Sequence, residues 1–253
     1  MTSSLVLLAG NYGPKKSAVI QPHLLKLADG SSIFDRMVVN APTDNVTVVC
    51  PREQLGFWND YKISEELKHG KPMNIFVEPF GRIQATREMS YYLTSHIPSI
   101  FLNLEIDDIV FSTASTYFEN FDFMPELMKR KNAIVVSKVP ESMVPASDII
   151  RVGLTGKIER TYKAGVDESL RASILDSKPM LAKDLAFTSL FKTTTHTMLE
   201  KGIFRGGDFF DTIRWLMGRG VQIDAIKSQG IFIDCGSPLG LGYAQNIQIV
   251  KNT

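Results

Sequence analysis

Apolar positions along this chain fall into two alternating patterns. Short apolar runs of strand length occupy residues 4–10 (SLVLLAG), 45–51 (NVTVVCP), 73–79 (MNIFVEP) and 107–115 (DDIVFSTAS). Between them lie stretches with helical spacing. Residues 31–41 put Ile33, Met37 and Val38 on one helical face, with Ser31 or Ser32 placed to cap it. Residues 55–70 read as a helix stopped by Gly70, residues 82–97 as a helix after Gly81, and residues 123–132 as a short helix. This β-α rhythm predicts a parallel sheet with helices on both faces. Right-handed crossovers then bring the C-terminal ends of the strands to one edge, where ligands bind.

The rhythm changes in the second half. Residues 132–140 read as a strand, and residues 148–165 as two short strands around LTGK, a hairpin signal. Residues 185–202 read as a strand running into a helix, and residues 207–220 as an amphipathic helix ended by glycine. Residues 221–238 predict a strand, a glycine turn and a second strand, and residues 238–250 a terminal helix. No repeat, low-complexity tract or linker interrupts the chain. The expectation is one continuous domain over residues 1–253, with a parallel half (1–131) for one ligand and a mixed half (132–253) for another.

Composition narrows the class. The chain has 253 residues, 44% hydrophobic and 22% charged, as in an ordinary globular protein. A net charge of +1 gives no overall field to attract nucleic acid or a membrane surface. No apolar stretch approaches the ~20 residues that span a bilayer. The opening MTSSLVLLAG has no basic segment before its apolar run, so it reads as a first strand rather than a secretory signal. Cys50 and Cys235 each sit within apolar runs and read as buried thiols in a reducing compartment. The expected location is the cytoplasm, and a homo-oligomer is compatible with the chain.

Four stretches carry candidate chemistry. In LLAGNYGPKK (residues 7–16), glycines after a strand let backbone N–H groups approach a phosphate or base, and Lys15 and Lys16 add charge. The loop lacks the spacing of a P-loop or a dinucleotide fingerprint, so a strand-end turn with solvated lysines is the alternative. In GIFIDCGSP (residues 230–238), Asp234 ends an apolar strand, a position suited to a divalent ion bearing phosphate oxygens or to capping the last helix. Gly81 in EPFGRIQA would let a flat base stack on the backbone, or it is a plain strand-to-helix turn. Glu159 and Lys163 in GKIERTYKAG would grip hydroxyls and a phosphate, or form a solvated hairpin face.

Taken in order, these segments resemble the sugar-phosphate nucleotidyltransferases, or NDP-sugar pyrophosphorylases. LLAGNYGPKK…QPHLLKLADGSSIF is similar to that family's opening LAAG-x-G-x-R-L…P-K-x-LL. DCGSP at residues 234–238 is similar to its late D-[IVT]-G-[TS]-P, GKIERTYK to its G-x-I-x-x-x-x-E-K segment, and FDTIRWLMGRG to its late helix. The resemblance spans nearly the whole chain. It implies a Rossmann-like nucleotidyltransferase (GT-A-like) fold with a mixed, mainly parallel sheet. It also implies transfer of a nucleotidyl group from a nucleoside triphosphate to a sugar 1-phosphate or similar phosphomonoester, with Mg²⁺ as cofactor. On that reading Leu8, Ala9, Gly10 and Gly81 hold the base, Lys15 and Lys16 the triphosphate, Asp234 the metal, and Glu159 and Lys163 the acceptor.

The departures are as specific as the matches. The family's loop arginine is missing, and two lysines cannot reproduce its bidentate fork. The lysine expected before the LL pair falls at Pro22 or His23. Family members carry a metal-binding aspartate after the fourth strand, and FSTASTYFENF puts Ser115 there. A hydroxyl brings no charge to a hard cation. The resemblance therefore implies either a nucleotidyltransferase with an altered metal and phosphate motif or a catalytically inactive binding or regulatory relative. A glycosyltransferase on a related sheet is the third alternative, and STAST offers no D-x-D motif for it.

Overall fold

A computed structural model of the chain describes residues 2–9, 26–27, 29–78, 89–138, 147–164, 167, 184–235 and 244. Its strands are β1 (Thr2–Leu8), β2 (Asn45–Pro51), β3 (Met73–Glu78), β4 (Ile106–Thr113), β5 (Thr116–Phe118), β6 (Ala133–Ser137), β7 (Ile149–Val152), β8 (Ile158–Tyr162), β9 (Asp184–Thr194), β10 (Asp224–Lys227) and β11 (Phe232–Asp234). Its helices are α1 (Ile33–Asn40), α2 (Leu55–His69), α3 (Ile97–Asn103), α4 (Met124–Lys129), α5 (Thr195–Lys201) and α6 (Phe209–Gly218). A π-helical stretch, Tyr92–His96, leads directly into α3.

Among the described residues, nine strands form one sheet along the path β10-β6-β9-β4-β1-β2-β3, with the β7–β8 hairpin attached to β9. β1 runs parallel to both β2 and β4, β2 to β3, and β6 to β10, while β9 lies antiparallel between β4 and β6. The mixed, mainly parallel sheet expected from the sequence is borne out.

The continuous apolar runs are explained by burial on both sheet faces. Alternation sends Val6 and Leu8 of β1 into one core, and Leu5, Leu7 and Ala9 into the other. Ile134 and Val136 of β6 follow the first, Ala133 and Val135 the second. The first core is covered by the Tyr92–Asn103 stretch, α5 and α6, through Phe101, Met198 and Phe209 among others. The second is covered by α1, α2 and α4, through Phe34, Trp58 and Leu127. Trp58 is wholly buried against Phe34 and Tyr61.

Helix ends follow local chemistry. Ser32 caps α1 in a capping box with Asp35, and Gly70 ends α2 in the left-handed conformation that glycine adopts without a Cβ clash. α6 is capped by Asp208, whose partner at the third position is Asp211. The helix expected over residues 82–97 extends further, through Asn103, and its first residues lie outside the described set. The terminal helix expected over residues 238–250 lies almost wholly outside it.

One element was not expected. After β4 the chain makes a tight turn at Ala114–Ser115 and forms β5, which pairs antiparallel with β11 as Asp234↔Thr116, Ile233↔Tyr117 and Phe232↔Phe118. The ribbon joins the second half of the chain to the C-terminal end of β4. A small core of Leu27, Ile33, Tyr117, Ile233, Cys235 and Ala244 sits beneath it.

Candidate functional site

The C-terminal ends of the parallel strands converge around β1. The Leu8 carbonyl accepts the Ala114 N–H (3.2 Å), and the Ala9 N–H donates to the Val49 carbonyl (2.9 Å). The side chains of Leu8 and Ala9 are buried, so these residues can offer a ligand little besides backbone. Ser115 follows Ala114 directly in the turn after β4.

Strand alternation sets the direction of Asp234. Ile233 and Cys235 point into the small core, which turns the intervening Asp234 side chain outward into solvent. The ribbon fixes its height, with the Cys235 N–H donating to the Ser115 carbonyl at 2.9 Å. Ser115 Oγ donates to Asp234 Oδ1 at 3.3 Å. The turn is held further by a 2.9 Å hydroxyl pair between Thr113 and Thr116. Cys235 is buried, and burial, then the Asp234 charge, push its thiol up to about 12.

The other candidates are placed unevenly. Gly10, Lys15, Lys16 and Gly81 lie outside the described residues. Lys163 follows β8, and its ammonium is clamped by Asp208 (2.8 Å) and Asp211 at the start of α6. Burial works against its charge, but the two carboxylates outweigh that and raise its pKa. Glu159 has other surroundings. It is the extra residue where the β7–β8 register shifts, between Arg151↔Arg160 and Val152↔Ile158. Its exposed carboxylate folds over Gly153, where any Cβ would collide with it. Glu159 and Lys163 thus engage different partners, the hairpin and α6.

Asp208 and Asp211 were missed in the sequence, although an aspartate three residues before another in GDFFD is a helix-start signature. Asp107 and Asp108 open β4 at the opposite edge, and Asp108 accepts a 2.7 Å bond from Lys192. A cavity of about 300 Å³ lined by Lys131, Asn132, Lys157 and Asp224, among others, also opens at that opposite edge, where β6 and β10 begin.

Asp234 and Ser115 bring one negative charge and one neutral hydroxyl. Mg²⁺ commonly uses one or two protein carboxylates, retains several waters, and takes its remaining ligands from substrate phosphates. The outward, solvent-exposed Asp234 fits such a minimal site, which a bound nucleotide would complete.

No protein-family model matches the chain, and no curated protein sequence matches it. Solved structures do. A Bacillus anthracis protein assigned as a glucose-1-phosphate thymidylyltransferase, in complex with a sucrose, aligns over 97% of this chain and 95% of its own, at 13% identity and a TM-score of 0.73. A UDP-glucose pyrophosphorylase complexed with UDP-glucose aligns over 99% of this chain and all of its own, at 16% identity and a TM-score of 0.70. HddC from Yersinia pseudotuberculosis, complexed with GMP-PN, aligns over 98% and all of its own chain, at 13% identity and 0.62.

Proposed function

We propose that the chain, which shares the Rossmann-like fold of the nucleotidyltransferases, is a divergent sugar-phosphate nucleotidyltransferase. A phosphate oxygen of a sugar 1-phosphate, or of a similar phosphomonoester, attacks the α-phosphorus of a nucleoside triphosphate. The bond from that phosphorus to the bridging oxygen breaks, and pyrophosphate leaves. The observation that carries the reading is the Ser115–Asp234 pair at the C-terminal sheet edge, where open α/β sheets bind ligands.

Little proton transfer is needed in such a step, so catalysis is alignment and charge stabilisation. Asp234, with Ser115 beside it, would hold Mg²⁺, which when bound neutralises charge on the phosphates. The backbone at Leu8 and Ala9, with Gly10 and Gly81, would hold the base. Lys15 and Lys16 would lie along the triphosphate. Lys163 would meet the acceptor phosphate, its ammonium presented by Asp208 and Asp211, and Glu159 would reach an acceptor hydroxyl by leaving Gly153. Nucleoside triphosphates and sugar phosphates are cytoplasmic substrates, consistent with a chain whose described helices are too short or too polar to cross a membrane.

A second reading is favoured by one observation: the residue facing Asp234 is a serine rather than a second carboxylate. A relative that binds nucleotide without turning it over would have that feature. Mg²⁺-dependent pyrophosphate release, measured over a panel of triphosphates and sugar 1-phosphates, tests both. Asp234→Asn retains size and hydrogen bonding but loses the charge. In an enzyme, turnover should fall about 10²–10³-fold. Nucleotide binding without any turnover in the wild type would select the second reading.

A further inference from the structure

Away from the sheet edge, another group of ionisable side chains is buried between α1 and α2. Glu65 and His69 stand one turn apart on α2, and Asp35 faces them from the first turn of α1. Their side chains are 8%, 8% and 5% exposed. One ligating atom from each lies within 4.8 Å of the others. His69 Nε2 is the meeting point, 3.3 Å from Asp35 Oδ1 and 2.9 Å from Glu65 Oε2.

One imidazole nitrogen stands between two carboxylates in that convergence. An imidazole nitrogen carries one proton or one lone pair, so it cannot serve two carboxylate oxygens equally. Glu65 Oε2 is buried and has no hydrogen-bond partner, its short approach to His69 being misaligned for one. A cavity of about 10 Å³ adjoins it, lined by Glu65 and His69 together with Phe34, Val38, Lys71 and Met73 among others. That is close to the room one water or one ion requires.

The surrounding bonds orient the donors without using them up. Asp35 Oδ2 accepts the Ser32 N–H at 2.8 Å, which leaves Oδ1 turned toward His69. Outer contacts of this kind fix ligand geometry in metal sites. The positive charge now at the cluster is removable. Lys68 Nζ bonds Asp35 Oδ1 and lies 3.9 Å from Glu65 Oε1, but its side chain is 46% exposed. Lys26, 3.4 Å from Asp35 Oδ2, is 63% exposed. Both ammoniums can retreat into water.

We infer that Asp35, Glu65 and His69 form a binding site for a divalent transition-metal ion of the Zn²⁺ type, which takes the place of Lys68. Two carboxylates and an imidazole are a nitrogen–oxygen donor set suited to Zn²⁺, whereas Mg²⁺ and Ca²⁺ favour oxygen alone. Tetrahedral coordination at about 2.1 Å sets neighbouring donors roughly 3.4 Å apart, near the 3.3 and 2.9 Å that separate His69 Nε2 from Asp35 Oδ1 and Glu65 Oε2. The bound ion would tie the start of α1 to the end of α2, and it is separate from the Mg²⁺ proposed at Asp234.

The test is calorimetric titration of the chelator-treated full chain with Zn²⁺, with Co²⁺ absorption reporting the coordination. One ion per chain is expected to bind, in the presence of excess Mg²⁺, with visible Co²⁺ bands of low-coordinate type. Glu65→Gln, nearly isosteric, and His69→Gln should each weaken binding about tenfold or more. Lys68→Met should tighten it, because the competing ammonium is gone, and its exposed position leaves folding intact by circular dichroism. Absence of saturable one-to-one binding in the wild type would overturn the proposal. So would Zn²⁺ affinity that is unchanged in both Glu65→Gln and Lys68→Met.

Discussion

Ser115 Oγ donates to Asp234 Oδ1 at 3.3 Å, across 119 residues of sequence. Two strands of three residues each create that meeting, and the small apolar core beneath them aims Asp234 outward. Ser115→Asp would set two carboxylates where one carboxylate and one hydroxyl now stand. Without a divalent ion the like charges repel, and the variant should melt at a lower temperature than the wild type. With Mg²⁺ the loss should reverse, and Mg²⁺–nucleotide affinity should rise on the order of tenfold, since two acidic ligands balance the ion better than one. Parallel melting curves with and without Mg²⁺ check the first half, and calorimetry the second. Weaker Mg²⁺–nucleotide binding in the variant would show that Ser115 is not beside the metal.

Lys192 is a charge inside the sheet, 2% exposed, bonded to Asp108 Oδ1 and to the Arg130 carbonyl, each at 2.7 Å. Breaking a buried ion pair from one side typically costs about 3–5 kcal/mol. Asp108 retains some contact with solvent, so Lys192→Met should cost less, roughly 2–4 kcal/mol. Urea denaturation measures it. A change below about 0.5 kcal/mol would mean that the methionine side chain's packing offsets the lost pair.

Lys163→Met removes the cation between Asp208 and Asp211. The folded-state pKa of Lys163 is raised, so its contribution is fully present below the unfolded lysine value of about 10.4. It is lost as pH rises through the higher folded value. The stability gap between wild type and variant should therefore be flat from neutral pH to about 10 and close above that. Its size at neutral pH should be about 1–2 kcal/mol, reduced from a fully buried pair by partial exposure. A gap that widens with rising pH would contradict the assignment.

Asp208→Ala should destabilise the chain by about 1 kcal/mol, because its carboxylate accepts the Asp211 N–H at 3.0 Å as the α6 cap. Asp208→Ala also loses the ion pair with Lys163, whereas Asp208→Asn keeps the cap and should recover only the cap's share of the loss, as thermal melts of the two variants would show.

The sheet was legible in the sequence because its strands are buried on both faces and so are nearly all apolar, as in NVTVVCP, where prediction and structure agree residue for residue. Ser32 and Gly70 were legible because helix ends demand particular residues. β5 was not. Three residues, Thr116–Phe118, carry no period, and their strand character comes from a partner more than a hundred residues away. The same distance hid the Ser115–Asp234 contact, which only the order of family-like segments suggested. Glu159 and Lys163 alternate in the sequence as if on one face, but a register shift at Glu159 turns it toward Gly153. Asp35, Glu65 and His69 left no trace, since Glu65 and His69 read as ordinary polar positions on a helix. Lys192 was equally silent, a charge that only tertiary burial makes unusual.

The β5–β11 ribbon also bears on the timing of assembly. A chain leaving the ribosome can pair β1 with β2 and β4, and β2 with β3, from its first half alone. At that stage the turn at Ser115 is already made, but no carboxylate stands opposite it. Asp234 arrives only after β6, β9 and β10 have been synthesised. Closing so long a loop adds only slowly to the entropic cost, so lateness rather than instability is the consequence. A nascent chain would thus hold a nearly finished sheet edge that lacks its acid until the last strand docks.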